Sequence, residues 1–199
     1  MTVQISKNNI LVGLKKAQVD YKIAALKQKG EKFLFDYINT PDEVIFEFKP
    51  TVLSPKKFFF PQEETILEYT ADGKVSAKIE AEPLLLFGVR PCDVNAIKIL
   101  DKAFSESHGD PNYLAKREKS IVIGFDCAKL CDQKAFCYRV KTQNATTGAD
   151  LMLLYWGDKF FVTFVTKKGA AFAAKYLQTQ EGDLKEVEEY KKKKEKEFN

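Results

Sequence analysis

The pattern of apolar and polar residues changes along the chain, and the change predicts an α/β fold. Continuous apolar runs at residues 84–89 and 121–125 are typical of buried strands. Between them, apolar side chains recur at helical spacing over residues 93–104. A strand, a helix and a strand over this length form a βαβ unit, whose two strands run parallel.

Further helices and strands are predicted around this unit. Ser6 can cap an amphipathic helix over residues 7–19. Pro61 suits the first turn of a second helix, in which Ile66, Leu67 and Tyr69 would face the core. The three phenylalanines at residues 58–60 are typical of an extended core segment, and the alternative is a cover over a cofactor pocket. The remaining predicted helices are 112–119 and 170–177, and the predicted strands are 21–26, 32–37, 44–48 (weakly), 74–80, and a hairpin of 150–156 with 159–165. We therefore predict a central mixed sheet flanked by helices, with the βαβ unit at its centre.

The last stretch of the sequence has a different composition. From Asp183 onward it mixes lysine and glutamate and carries few large apolar residues. This pattern predicts a frayed helix or a mobile tail that makes few buried contacts and that folding does not require. We accordingly divide the chain into an α/β domain, residues 1–180, and a charged tail, residues 181–199.

Composition and charge give no support to several classes of protein. The chain has 199 residues, 45% of them hydrophobic, and a formal net charge of only +4, without a long basic stripe that would predict nucleic-acid binding. It has no apolar run of membrane-spanning length and no leader-like N-terminus, so we expect a cytoplasmic protein that does not insert into membranes. His108 is the only histidine, and no glycine-rich nucleotide loop is present, so we name no catalytic residue.

The cysteines are the strongest chemical signal. Cys92 follows the first strand of the βαβ unit, while Cys127, Cys131 and Cys137 follow the second. Because the carboxyl ends of parallel strands meet at one edge of a sheet, we expect the four thiols to form one site. Thiolates suit zinc or an iron–sulfur cluster, but the spacing matches neither a zinc ribbon nor a bacterial ferredoxin. The spacing alone leaves four interpretations open: an iron–sulfur cluster, structural zinc, unrelated core cysteines, or a small enzyme with a reactive Cys92.

Three longer stretches carry a family resemblance. They read PKKFFFPQEETILEY, FGVRPCDVNAIKILDKAF and NYLAKREKSIVIGFDC, with FC further downstream. Together they resemble the N-terminal region of the iron–sulfur subunit of anaerobic sulfite reductase, which is shared with the beta subunit of archaeal sulfhydrogenases. The resemblance covers about residues 1–176.

The resemblance implies a function in electron transfer. The four cysteines would hold a [4Fe–4S] cluster, and we expect Arg90 and Asp93 to tune and shield it. The family's ferredoxin-like portion is not found in this sequence, so the chain would be an accessory or electron-transfer module working with ferredoxin-type or other redox subunits. We expect such a partner to dock near Arg90, Lys56, Lys57 and residues 58–60.

Overall fold

A computed structural model describes residues 2–47, 50–106 and 108–198. In this part of the chain, eight strands form one sheet in the order β10-β1-β9-β8-β7-β6-β2-β3, and β4 pairs with β5 separately. The strands are β1 (Val3–Ser6), β2 (Lys22–Lys29), β3 (Lys32–Tyr37), β4 (Leu67–Tyr69), β5 (Val75–Ala77), β6 (Leu84–Val89), β7 (Ser120–Phe125), β8 (Leu151–Trp156), β9 (Lys159–Phe164) and β10 (Gln180–Glu181). The helices are α1 (Lys7–Ala17), α2 (Pro91–Ser105), α3 (Pro111–Lys119), α4 (Lys167–Tyr176) and α5 (Leu184–Phe198).

The centre of the large sheet is parallel and its edges are antiparallel. β2, β6, β7 and β8 run in the same direction, whereas β3 and β9 run against their neighbours. Every residue of β6 and β7 is buried, as expected for parallel strands that helices cover on both faces. The predicted α/β class and the mixed sheet flanked by helices are confirmed, and β6, α2 and β7 form the predicted parallel βαβ connection.

Alternate residues of the central strands supply two cores. Leu85 and Ile123 face one core together with Leu14 of α1 and Phe172 of α4. Leu86 and Val122 face the other core, which includes Ile97 of α2 and Tyr113 of α3. Successive residues of a strand point to opposite faces of the sheet, so each central strand contributes to both cores. Because both faces are buried, every position of these strands is apolar or small, which gives the continuous apolar runs.

The helix predicted from Pro61 to Tyr69 is wrong. β4 and β5 form a hairpin there, closed by a turn in which Gly73 has a φ of +83°. Ile66, Leu67 and Tyr69 are exposed rather than part of the core. A short helix that has no core to pack against is only marginally stable in water. In the hairpin, the backbone N–H and C=O groups of β4 and β5 form hydrogen bonds with each other instead.

Other boundaries also differ from the prediction. The segment 44–47 follows a 3-10 turn at Pro41–Glu43 and is not a strand, although the Ile45 backbone N–H donates to the Leu26 carbonyl of β2 at 2.9 Å. Phe48 lies outside the described residues. The predicted strand 74–80 shortens to β5, and β1 was not predicted. The segment 58–60 is not extended, because a 3-10 turn at Pro55–Phe58 buries Phe59 and leaves Phe60 exposed.

The charged tail is a regular helix that packs against the domain. Tyr190 is only 1% exposed, and Lys194 and Phe198 are also buried. These residues recur every four positions, so they share one face of α5. The expectation that residues 183–199 make few buried contacts is therefore wrong, although a division of the chain at residue 181 stays a prediction. None of the helices described here has the length and apolar character needed to cross a membrane.

Glu43 is expected to make stability depend on acid pH. Its carboxylate accepts hydrogen bonds from the Lys27 ammonium (2.8 Å) and from the backbone N–H groups of Asn39 (2.6 Å) and Thr40 (3.0 Å). Lys27, followed by those N–H groups, lowers the pKa of Glu43 from 4.5 to about 2. The stability it contributes is present above the unfolded pKa and is lost as pH falls through the folded one. Urea titrations should show that the free energy of unfolding of the wild type exceeds that of Glu43→Gln by a constant amount near neutral pH. This difference should shrink as the pH falls from about 4.5 to about 2. Glu47→Gln is the control, and a pH-independent difference would contradict this.

Candidate metal centre

A cavity of about 330 Å³ lies at the carboxyl ends of β6 and β7 and is lined by all four cysteines. Cys92 reaches it from the end of β6, and Cys127, Cys131 and Cys137 reach it from the segment after β7. We call residues 127–143 the cysteine loop. The parallel pairing of β6 and β7 brings their carboxyl ends, and with them Cys92 and Cys127, to one edge of the sheet.

Cys92 lies in the first turn of α2. A bulge at Gly88, whose φ of +86° favours glycine, shifts the register of β6 against β7 before Val89, and Pro91 then opens the helix. Cys92 has exposed surface, yet the protein packed around it raises the pKa of the thiol to about 11. The Asp93 carboxylate adds to the rise, while the Asp93 backbone N–H opposes it by donating a hydrogen bond to the sulfur.

Cys127 is partly buried and lies beside Arg90. Burial raises its pKa to about 12, against the opposing effect of the nearby Arg90 guanidinium. The Arg90 side chain is itself buried, lies 5.7 Å from the centre of the Phe125 ring, and donates from Nη1 to the Asp126 carbonyl at 3.4 Å. Burial lowers the pKa of Arg90, whereas Cys127 and then Cys92 favour its charged form. Arg90 thus places a positive charge between the two strand ends.

Cys131 and Cys137 lie on the more open side of the cavity. Cys131 is exposed and Cys137 half-buried. Burial, followed by the Asp132 carboxylate, raises the pKa of Cys131. Cys137 is held by a local turn in which its carbonyl accepts a hydrogen bond from the Thr142 backbone N–H at 2.9 Å. Both thiols lie near enough to Cys92 to raise its pKa electrostatically.

The donor set suits a thiolate-bound metal centre, but the thiols are not arranged around an ion. Within the described residues, no group of three or more His, Cys, Asp or Glu side chains is arranged to hold a metal ion directly. Four thiols on one cavity still fit the ligand chemistry of zinc or of an iron–sulfur cluster. Binding such a group would require the exposed cysteine loop to close over it, so the role of the four cysteines as ligands stays a prediction.

Arg90 and Asp93 have different surroundings. Arg90 lines the cavity. The Asp93 carboxylate accepts a hydrogen bond from the Ser54 hydroxyl at 2.8 Å, so it joins the first turn of α2 to the 3-10 turn at Pro55–Phe58. Burial raises the pKa of Asp93. The hydrogen bond from Ser54 and, after it, the positive charge of Lys56 oppose this rise. Their contribution to a bound cofactor stays a prediction.

The contribution of α5 to this site was not predicted from the sequence. The Lys194 ammonium lies 2.6 Å from Asp126 Oδ1 and donates to the Gln143 carbonyl at 3.1 Å. The Tyr190 hydroxyl donates to Asp126 Oδ2 at 3.0 Å, and Phe198 lines the cysteine cavity. One ammonium group thus binds both flanks of the cysteine loop. The four-residue spacing of Tyr190, Lys194 and Phe198 was the available signal.

Comparison with known proteins places this arrangement in context. No protein-family model matches the chain. Sulfhydrogenase 2 subunit beta of Pyrococcus furiosus is 30% identical to it over 178 residues, which are 83% of this chain and 50% of that protein. The chain is a relative of the sulfhydrogenase beta subunits. This similarity confirms the resemblance drawn from the three sequence stretches. The chain spans about half the length of the curated relative it matches.

A solved structure supports the fold of this sulfhydrogenase beta-subunit relative. One chain of the xenon-derivatized F420-reducing [NiFe] hydrogenase complex from Methanosarcina barkeri aligns with a TM-score of 0.53. The alignment covers 99% of this chain and 88% of that one at 9% sequence identity. A likeness at this identity concerns the fold alone, and function has to be argued from the cysteine cavity.

Proposed function

We propose that the chain is an iron–sulfur electron-transfer or accessory module of a cytoplasmic redox complex. In this proposal Cys92, Cys127, Cys131 and Cys137 hold a [4Fe–4S] cluster. The observation that carries it is the placement of all four thiols on one cavity at the ends of two neighbouring parallel strands. The relationship to a sulfhydrogenase beta subunit supports a redox setting. A bound cluster would supply one-electron acceptance and release.

The residues around the cavity have separate tasks in this proposal. The thiols must lose their protons to bind iron, and burial makes that costly for Cys92 and Cys127. The Arg90 guanidinium offsets part of the cost, because a cation beside a thiolate stabilises its negative charge. The Asp93 backbone N–H donates to the Cys92 sulfur, a contact that also favours the anion. Lys194 positions the flanks of the cysteine loop.

The surface beside the cavity suits an acidic redox partner. The cysteine loop carries four basic side chains, Lys129, Lys134, Arg139 and Lys141, against the single acidic Asp132. The expected docking patch has to be corrected, because its members Arg90 and Phe59 are buried and present no surface. Exposed apolar and basic groups on the cysteine loop take their place, since a mixed patch of this kind favours a transient interface.

Charge reversal on the cysteine loop is expected to weaken partner binding. Lys134→Glu/Arg139→Glu should bind a purified acidic ferredoxin-type protein several-fold less tightly than the wild type at low salt. The difference should shrink as salt rises, because exposed charge pairs are screened. Lys15→Glu/Lys16→Glu on α1 makes the same charge change elsewhere on the chain. Equal losses in both variants, or no loss in either, would contradict this docking surface; the measurement is titration calorimetry under anaerobic conditions.

The test of the function itself is a metal analysis. Protein purified anaerobically should contain iron and acid-labile sulfide and absorb near ~400 nm, where iron–sulfur centres absorb and zinc does not. Stoichiometric zinc without iron would instead favour the alternative function, a structural assembly module in which the same four thiols bind zinc. Neither metal after anaerobic purification and attempted reconstitution would overturn both interpretations.

A further inference from the structure

The hairpin of β4 and β5 is amphipathic although it lies outside the main sheet. Leu67 pairs with Ala77, and Tyr69 pairs with Val75. Residues paired across antiparallel strands point to the same face, so these four side chains share one face of the hairpin. Glu68 and Ser76, which pair with each other, belong to the opposite face. One face of the hairpin is therefore entirely apolar.

That apolar face is open to solvent. Tyr69 is 72% exposed, Val75 57% and Leu67 42%. An isolated two-stranded hairpin is marginally stable in water, and it normally gains stability by burying such a face. A contiguous exposed apolar face of this kind marks a site of interaction rather than an isolated surface residue.

The surroundings of the hairpin are acidic. Residues 62–82 contain six acidic side chains and two basic ones, a net charge of −4 in a chain whose total is +4. On the polar side, Lys78 is shared between Glu68 (2.6 Å) and Glu80 (3.2 Å). Two copies of this face would bring like charges together, so self-association is unfavourable. A partner with basic residues around an apolar patch is complementary.

The hairpin is also remote from the cysteine cavity. Its flanking residues Thr65 and Lys78 line a groove of about 730 Å³ together with Lys22 and Leu84, which begin β2 and β6. The groove therefore lies at the amino ends of the parallel strands, whereas the cysteines follow their carboxyl ends. Ion pairs of Lys116 with Glu64 and of Lys22 with Glu82 tie the flanks of the hairpin to the domain. A protein bound here would leave the cysteine edge accessible.

We infer that the apolar face of Leu67, Tyr69, Val75 and Ala77 docks onto a separate protein subunit. The surface it recognises is an apolar patch flanked by lysine or arginine. The inference goes beyond the electron-transfer proposal and does not depend on whether the cysteines bind a metal. It assigns the chain two working edges: the cysteine edge for electron exchange and the hairpin edge for assembly with that subunit.

A photo-crosslinking experiment identifies the occupant. A photoreactive benzoylphenylalanine replaces Tyr69 in the tagged full chain, and the complex is isolated from its own host after irradiation. The expected adduct is a peptide from one other subunit, containing apolar residues with lysine or arginine beside them. The same probe at Tyr155, half exposed on β8, is the control and should not mark that peptide. Adducts to a second copy of this chain only, to many unrelated proteins, or to nothing would overturn the inference.

A binding measurement then tests the face directly. Leu67→Thr/Tyr69→Thr/Val75→Thr keeps residues that suit strands but removes most of the apolar surface. The purified subunit identified by crosslinking should bind this variant at least about tenfold more weakly than wild type, because large apolar groups dominate binding energy at interfaces. Its absorbance and metal content should match the wild type, which separates this result from failure of the cysteine proposal. Equal affinity of variant and wild type would overturn the inference.

Discussion

Replacing Lys194 with methionine is expected to lower the free energy of unfolding by about 3 to 5 kcal/mol, since it leaves the largely buried Asp126 carboxylate without its charge partner. The two side chains are only 10% and 12% exposed, and their charged atoms lie 2.6 Å apart. The same substitution removes the hydrogen bond to the Gln143 carbonyl. Urea unfolding of the metal-free protein measures the change.

Two matched variants separate the ion pair from a general effect on α5. Lys192→Met changes an exposed lysine of the same helix and should alter stability by less than about 0.5 kcal/mol. Asp126→Asn/Lys194→Met removes both charges and should recover part of the loss, because the cost lies mainly in the unpaired buried charge. A loss below about 1 kcal/mol for Lys194→Met would show that α5 contributes little to the domain. Faster thiol labelling of Cys127 in Lys194→Met would show that the helix also orders the cysteine loop.

Replacing Cys127 with serine is expected to abolish the ~400 nm absorbance and bound iron of the anaerobic protein, since a hydroxyl is a poor substitute for a soft thiolate ligand. Cys127 should show the largest effect of the four cysteines. It is the thiol beside Arg90, and it directly follows Asp126, which Lys194 and Tyr190 hold in place.

The control for this prediction is a change in the same cavity that spares the thiols. Val140→Thr changes an exposed side chain that lines the cavity and should leave iron content unchanged. Circular dichroism should show the same secondary structure in Cys127→Ser as in wild type. Retention of full iron by Cys127→Ser would remove this residue from the proposed ligands, and retention by all four single variants would end the proposal.

The features that could be predicted from the sequence are those with a local signal. The continuous apolar runs of β6 and β7 revealed buried parallel strands, and the chain order of the cysteines then placed Cys92 near Cys127. The hairpin of β4 and β5 was misread because Pro61 and two glutamates are a genuine helix-start signal. The local pattern does not reveal whether such a helix would find a core against which to bury its apolar face.

The contribution of α5 was hidden for a different reason. Its lysines and glutamates are typical of a solvated segment, and only Tyr190, Lys194 and Phe198 form a buried face. Whether Lys194 is solvated or paired depends on Asp126, 68 positions earlier in the chain. No short-range pattern contains that contact. The same limit applies to Arg90, whose burial follows from packing beside Phe125 at the end of the neighbouring strand.

The most direct test of the central claim, that these four thiols hold a centre which exchanges electrons, is electron paramagnetic resonance of the anaerobically purified protein before and after reduction with dithionite. We expect a signal of a one-electron-reduced iron–sulfur cluster that appears on reduction, disappears on reoxidation and is missing in Cys127→Ser. A protein that contains zinc alone, or iron whose spectrum is the same in wild type and Cys127→Ser, would contradict it.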